Sequence, residues 1–246
     1  MELFLQKLEL FFDVMQKPVW QENLKVGLMN TVKIAVLGLL IGVLIGTVIA
    51  VVKVAPKYKR VMRILDKICT VYVAIFRGTP MVVQLLFAYY CLLPAFGIKD
   101  VEAVVVGIVV FGMNSGAYVS EIMRGGIGAV DIGQLEAARA LGLSYPVAML
   151  KVVVPQAIKN VIPTIGNEFI TLIKETSVLS FITVYDVYTM FDSMVNRFGD
   201  PLVPYLAMAL IYIVLVLIIT LLIKIVENIL AKSDRNRKAK GGKAKA

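Results

Sequence analysis

Histidine is absent from this 246-residue chain, and charge is scarce, with Asp, Glu, Lys and Arg together making 17% of residues. Without histidine the usual proton shuttle and most metal sites are gone, so no metal centre is expected. The chain also lacks a GxxxxGK[ST] phosphate loop, an HExxH pair and a GxSxG elbow. Hydrolysis of nucleotide by this chain alone, or covalent catalysis by it, is therefore not expected. The two cysteines, Cys69 and Cys91, sit in or beside apolar stretches without a motif and read as small buried hydrophobes. No basic stretch followed by a short apolar core and a cleavage site opens the chain, so a cleaved signal peptide is not expected either.

What remains is apolar. Hydrophobic residues make 59% of the chain and the mean hydropathy is +0.83, too little polar surface for a soluble domain of this length. The fold class is an all-α, polytopic integral membrane protein. The net charge of +9 collects at the ends of apolar segments. That pattern sets topology and gives no nucleic-acid footprint.

The chain divides into an external N-terminal segment (1–23), a transmembrane domain (24–230) and a basic tail (231–246) expected to be disordered and cytoplasmic. In the first segment Leu3, Phe4, Leu8, Leu10, Phe11 and Phe12 suit one side of a helix on the membrane surface or docked on the bundle. Ile34 to Val52 is uncharged, and with residues from Val26 it is long enough to span, since about 20 helical residues cross the hydrocarbon. Gly38, Gly42 and Gly46 recur every fourth residue and make a close-packing face, for an internal helix or for a partner chain. Lys53 to Phe76 is basic, amphipathic and expected inside. A second span follows Arg77-Gly78-Thr79-Pro80, with Pro80 tolerated in the first turn, and runs to Ile98. Ala103 to Ser120 is a third span. Asn114 and Ser115 there either bond a neighbouring helix or meet solute. Glu121 and Arg124 can pair, and Gly125, Gly126 and Gly128 allow a sharp exit.

Gln134 to Leu141 then reads as a short helix stopped by Gly142. Val152 to Tyr185 is apolar yet holds Lys159, Glu168, Lys174 and Glu175, with Pro155, Pro163 and Gly166. A uniform span would not carry these charges cheaply, so a short inner helix, a break and a fourth span are expected. Glu168, Thr171 and Glu175 share a helix face beside Asn167 and Lys174. This face suits a polar permeation route, continuing to Thr176 and Ser177, or an ion-paired packing contact. Asp186 to Asp200 reads as an external loop, and Leu202 to Ile223 as the fifth span. Five spans with the tail inside put the N-terminus outside.

Four stretches resemble the permeases of polar amino acid ABC importers. They are Phe76 to Leu85, which includes Gln84; Asn114 to Ile127; Gly133 to Gly142; and Pro155-Gln156 with Lys174-Glu175-Thr176-Ser177. They stand in family order, and the likeness covers roughly residues 20 to 230. Ser120 stands where alanine is common, Glu175 where aspartate is, and Val178 where leucine is. The resemblance implies the five-span type I importer core in a bacterial plasma membrane, without an ATPase site of its own. It implies a cytoplasmic coupling helix at about 131–143, with Glu136, Ala137, Ala138, Arg139, Leu141 and Gly142 meeting the ATPase. It further implies a second permease subunit, identical or closely related, two ATP-binding subunits carrying ATP and Mg, and an external solute-binding protein delivering a polar amino acid. Closure of the ATPase pair on ATP would drive the permease halves outward-open, and hydrolysis would reset them. Membrane lipid is a further partner through the basic tail. The rival reading is an ion-coupled secondary transporter using Glu168, Lys174 and Glu175 at a broken helix.

Overall fold

A computed structural model describes residues 1–243, with side chains through Leu230. The elements run α1 (Glu2–Met15), α2 (Pro18–Val54), α3 (Arg60–Gly78) and α4 (Met81–Leu86), then a π-helical turn (Phe87–Leu92) and α5 (Leu93–Ala95). There follow α6 (Ala103–Gly128), α7 (Ile132–Ala140), α8 (Tyr145–Ala148), a second π turn (Met149–Val153) and α9 (Val154–Glu175). A 3-10 segment (Thr176–Ile182), α10 (Val187–Phe198) and α11 (Leu202–Lys243) complete the chain. Among the described residues three helices are long and apolar enough to cross a membrane, or up to five spans if each of two bent pairs counts as one.

The frame is the α2–α6 pair. A Cβ built on Gly38 would lie 2.9 Å from Phe111 Cβ, one on Gly42 2.7 Å from Ser115, and one on Gly46 2.7 Å from Val119. Gly112 and Gly116 return the fit against Ile41 and Ile45 at 2.5 and 2.7 Å. The two backbones approach so closely only because these positions carry no side chain. The glycine stripe of α2 therefore serves an internal helix, which closes the alternative of a partner chain.

Around this pair lies a core of Ile34, Leu85, Phe111, Leu172, Ile173, Leu179 and Ile182. A second apolar cluster joins Val14 and Trp20 to Val187, Met190, Phe191 and Met194. The outer face of α11 leaves Leu206, Leu210, Ile213, Leu217 and Leu221 about half exposed, as a lipid-facing helix does.

The sequence expectations need correction at several boundaries. α2 starts at Pro18, so the separate first segment is only α1. Phe11, Val14 and Met15 dock α1 on the bundle, while Leu3, Leu10 and Phe12 face outward. The basic stretch runs from the end of α2 through a turn into α3, and α3 bends by 108° into α4–α5. α6 runs through its three terminal glycines to Gly128, because Gly126 seats against Val161 and extends the helix contact. No break occurs at Pro163 or Gly166: α9 passes through both, and a Cβ on Gly166 would meet Ile223 at 2.7 Å. The break comes instead after Ile182, where Thr183 takes a left-handed φ of +65°.

Asp186 to Asp200 is not a loop but α10, whose first turn Asp186 caps by accepting from the Thr189 N–H at 2.8 Å. Its apolar face is fully buried, which made the segment look mixed in sequence. Cys91 is exposed, not buried. The helix of α11 continues to Lys243, so the tail expected to be disordered is helical in backbone to that point. Its side chains after Leu230, and residues 244–246, lie outside the described residues.

Candidate functional site: a coupling helix and a polar helix face

α7 is short, and both of its ends are fixed. Asp131 Oδ1 accepts from the Gly133 N–H at 2.9 Å and satisfies a first-turn donor. At the other end Gly142 takes φ +84°, with its N–H on the Arg139 carbonyl and the Leu143 N–H on the Ala138 carbonyl. That is the Schellman arrangement, and it explains Gly142 by conformation alone, since nothing lies within 4 Å of a Cβ added there. The Arg139 guanidinium donates to the Leu143 carbonyl at 2.8 Å and locks the same turn.

Glu136, Ala137, Arg139, Leu141 and Gly142 all face outward; Leu141 is 84% exposed and Ile132 70%. Ala138 is buried, so it anchors α7 on the bundle and cannot meet a partner as the sequence suggested. The Gln156 amide reaches Gln134 Oε1 at 3.3 Å, and the Tyr145 hydroxyl reaches the Val54 carbonyl at 3.3 Å. α7 is thus held to α9 through Gln134, while the following helix, α8, is held to the C-terminal end of α2 through Tyr145. α1 sits against the opposite end of α2, through Trp20 and its neighbours.

The polar residues of α9 lie along one side. Asn160, Thr164, Asn167, Thr171 and Lys174 are exposed and follow one another at steps of four and three. Glu168 and Glu175 flank that stripe, half-buried. The Thr171 hydroxyl is taken by the Asn167 carbonyl and the Ser177 hydroxyl by the Lys174 carbonyl, at 3.1 and 3.2 Å. Thr176 is fully buried and donates to the Ile173 carbonyl, so it caps the helix and does not line a route.

Asn114 also leaves the candidate route. It is buried, and its amide donates to Gln84 Oε1 at 2.9 Å and to the Phe76 carbonyl at 3.3 Å. The Gln84 amide reaches the Phe76 carbonyl at 2.8 Å, the Thr79 carbonyl at 3.0 Å and Thr79 Oγ1 at 2.9 Å. These groups satisfy the loose carbonyls at the end of α3, so a 108° bend is held to α6 by two amides. Pro80 starts α4 and cannot continue α3. Arg77 lies over the Tyr118 ring, 5.2 Å from its centre. Gly78 has no neighbour within 4 Å that would exclude a side chain. Ser115 is buried under Gly42.

Residues 38–232 match the family model described as the binding-protein-dependent transport system inner membrane component. The chain belongs to that family. An arginine transport system permease protein, ArtQ of Bacillus subtilis, is 39% identical over 208 residues, which is 85% of this chain and 92% of that protein. A putative glutamine transport system permease protein, GlnP of Rickettsia conorii, is 36% identical over 82% of this chain and 89% of its own. A crystal structure of an amino acid ABC transporter with histidines superposes with a TM-score of 0.77 at 38% identity, over 85% of this chain and 94% of that one. The methionine transporter MetNI, inward facing, shares the fold with a TM-score of 0.70 at 16% identity.

Sequence reasoning on this binding-protein-dependent permease missed several supporting residues. Asp131 had a signal, an N-cap residue just before the short helix. Asn160 and Thr164 had one too, being in step with Asn167 and Thr171. Lys53 joins Glu121 at 3.4 Å, and Glu121 also holds Arg124 at 2.6 Å, so the expected i,i+3 pair is a bridge from α2 to α6. Neither Lys53 nor Tyr145 carries any local signal of its distant partner.

Proposed function

We propose that this permease is the membrane-spanning subunit of an ATP-driven importer for a polar amino acid delivered by an external solute-binding protein. The observation that carries the reading is α7: a rigidly capped helix with Glu136, Ala137, Arg139 and Leu141 facing outward, at the end of the bundle away from α1. Exposed alanines let another surface approach closely, and Glu136 and Arg139 supply directional contacts. In this reading α7 docks on a cytoplasmic ATP-binding subunit, and ATP and Mg are held there and not by this chain. Two such subunits serve a pair of permeases, either two copies of this chain or this chain with a close relative. The N-terminus lies outside and the C-terminus in the cytoplasm of a bacterial plasma membrane, as the basic stretch 53–67 and the basic tail favour.

The solute route runs along Asn160, Thr164, Asn167, Thr171 and Lys174, with Glu168 and Glu175 at its edges. A polar stripe exposed on a helix packed in a membrane bundle needs water or solute against it. The similarity to an arginine permease and a putative glutamine permease supports an amino acid cargo.

The test is an affinity pull-down of the tagged chain from its own membranes, with and without the Glu136→Ala, Gly142→Leu pair. Recovery of an ATP-binding subunit with wild type and its loss with the pair is the expected result. Intact protein with no ATPase attached, and uptake that collapses with the ion gradient but not with ATP, would overturn it.

A further inference from the structure

The corner between α2 and α3 carries a charge pattern that the transport reading does not use. From Lys53 to Gly78 the chain holds Lys53, Lys57, Lys59, Arg60, Arg63, Lys67 and Arg77 against one acid, Asp66. Asp66 is already taken by Lys57 at 2.8 Å, and Lys53 is taken by Glu121 at 3.4 Å. Among the described residues no acidic side chain pairs with Lys59, Arg60, Arg63 or Lys67. All four are exposed.

α3 presents three sectors. Met62, Asp66, Cys69, Val73 and Phe76 turn toward the bundle. Arg60, Arg63 and Lys67, spaced i, i+3 and i+7, form an exposed basic edge. Next to it Val61, Ile64, Leu65, Ile68 and Ile75 form an exposed apolar edge, each between 37% and 62% exposed. Tyr58, at the corner itself, is 91% exposed. A basic edge beside an apolar edge, with an aromatic at the boundary, suits a layer that is acyl chain on one side and phosphate on the other. An acidic soluble partner would match the basic edge but not the apolar edge beside it.

We infer that the α2–α3 corner is a binding surface for anionic phospholipid, with Lys59, Arg60, Arg63 and Lys67 on the phosphates and the Ile64–Ile68 edge among the acyl chains. The inference rests on the proposed topology only for its leaflet, which is then the inner one. Anionic headgroups at this corner would hold the start of α3, and α3 ends at the bend locked by Gln84 and Asn114. The lipid charge around the permease therefore bears on the same helix that shapes its core.

The test uses the full-length chain with Trp20→Phe and Tyr58→Trp, giving a single reporter at the corner, in vesicles of identical lipid in both leaflets. Brominated phosphatidylglycerol should quench the reporter more than brominated phosphatidylcholine at equal mole fraction, by about twofold, and salt should erase the difference. Lys59→Gln, Arg60→Gln, Arg63→Gln and Lys67→Gln together should equalise the two lipids. Arg60→Lys with Arg63→Lys, which keeps the charge and disturbs folding least, should preserve the preference.

Equal quenching by both lipids in the charged chain overturns the proposal. So does a preference that survives neutralisation, or one that Arg-to-Lys exchange abolishes. Release of an ATP-binding subunit by the glutamine variant, with lipid quenching unchanged, assigns the face to protein and overturns it as well. Sidedness is read separately, by labelling Tyr58→Cys in a Cys69→Ser, Cys91→Ser background with an impermeant maleimide. Labelling of intact cells from outside would sink the topology while leaving the lipid preference, measured in symmetric vesicles, to stand or fall alone.

Discussion

α6 and α9 cross the same bundle, and both carry polar side chains in apolar surroundings, yet they treat them in opposite ways. Asn114, Ser115 and Ser120 of α6 are buried, and Asn114 is consumed by Gln84 and the carbonyl of Phe76. Asn160, Asn167, Thr171 and Lys174 of α9 are exposed along one stripe. The cause lies in what each helix packs on. α6 is clamped against α2 by glycines on both sides and is buried from Asn114 to Ser120 except at Tyr118. α9 rests on α6 and α11 by Ala157, Val161, Leu172 and Ile173 and leaves its other side open. A polar residue in a span is thus a strut or a lining according to the packing opposite it, and residue type alone does not decide.

The largest expected effect breaks the clamp. Gly42→Leu places atoms within 2.7 Å of Ser115 and must part α2 from α6, a loss of more than ~3 kcal/mol. Little folded protein should survive detergent extraction and size-exclusion chromatography; a normal elution profile would refute the close approach. Next comes Lys174→Gln, which should cut ATP-dependent uptake about tenfold or more while leaving the melting temperature of the purified chain near wild type. A matching fall in melting temperature would turn the α9 stripe into another strut.

Asn114→Ala should do the reverse, losing about 1–3 kcal/mol mainly because Gln84 Oε1 is left without a donor, while the Phe76 carbonyl keeps the Gln84 amide. Its uptake per folded molecule should fall much less than that of Lys174→Gln. A solute-specific defect at Asn114 would erase the contrast between the helices. The smallest effect is assigned to Gly78→Ala, which meets nothing within 4 Å and should change neither uptake nor melting by a measurable amount.

Much of this was legible in the sequence because it is local. The apolar runs, the glycine period of α2, the Glu121–Arg124 spacing and the stop at Gly142 each follow from a few neighbouring residues. The short helix read over Gln134 to Leu141 lies within two residues of the observed Ile132–Ala140 for the same reason. What failed was non-local. Pro163 and Gly166 look like a break, but Gly166 is where Ile223 of α11 seats, and the helix goes on. Asp186 to Asp200 looks like a loop because its apolar face is only half the residues, and that face fits against Trp20 and Val14 from the other end of the chain. Asn114 could not be told from a route residue without knowing that Gln84 waits opposite.

α2 is 37 residues long, about 55 Å of rod, whereas the hydrocarbon is about 30 Å thick. It must stand clear of the membrane at its ends or lean steeply within it. It is also bolted along its middle to α6 and tethered at its tips, to α10 through Trp20 and to α8 through Tyr145. A rod held at its waist behaves as a see-saw. A tilt of about 5° about its centre displaces each tip by about 2 Å in opposite directions. Any rocking of this pair therefore registers on both sides of the membrane at once, with no relay of side chains between them.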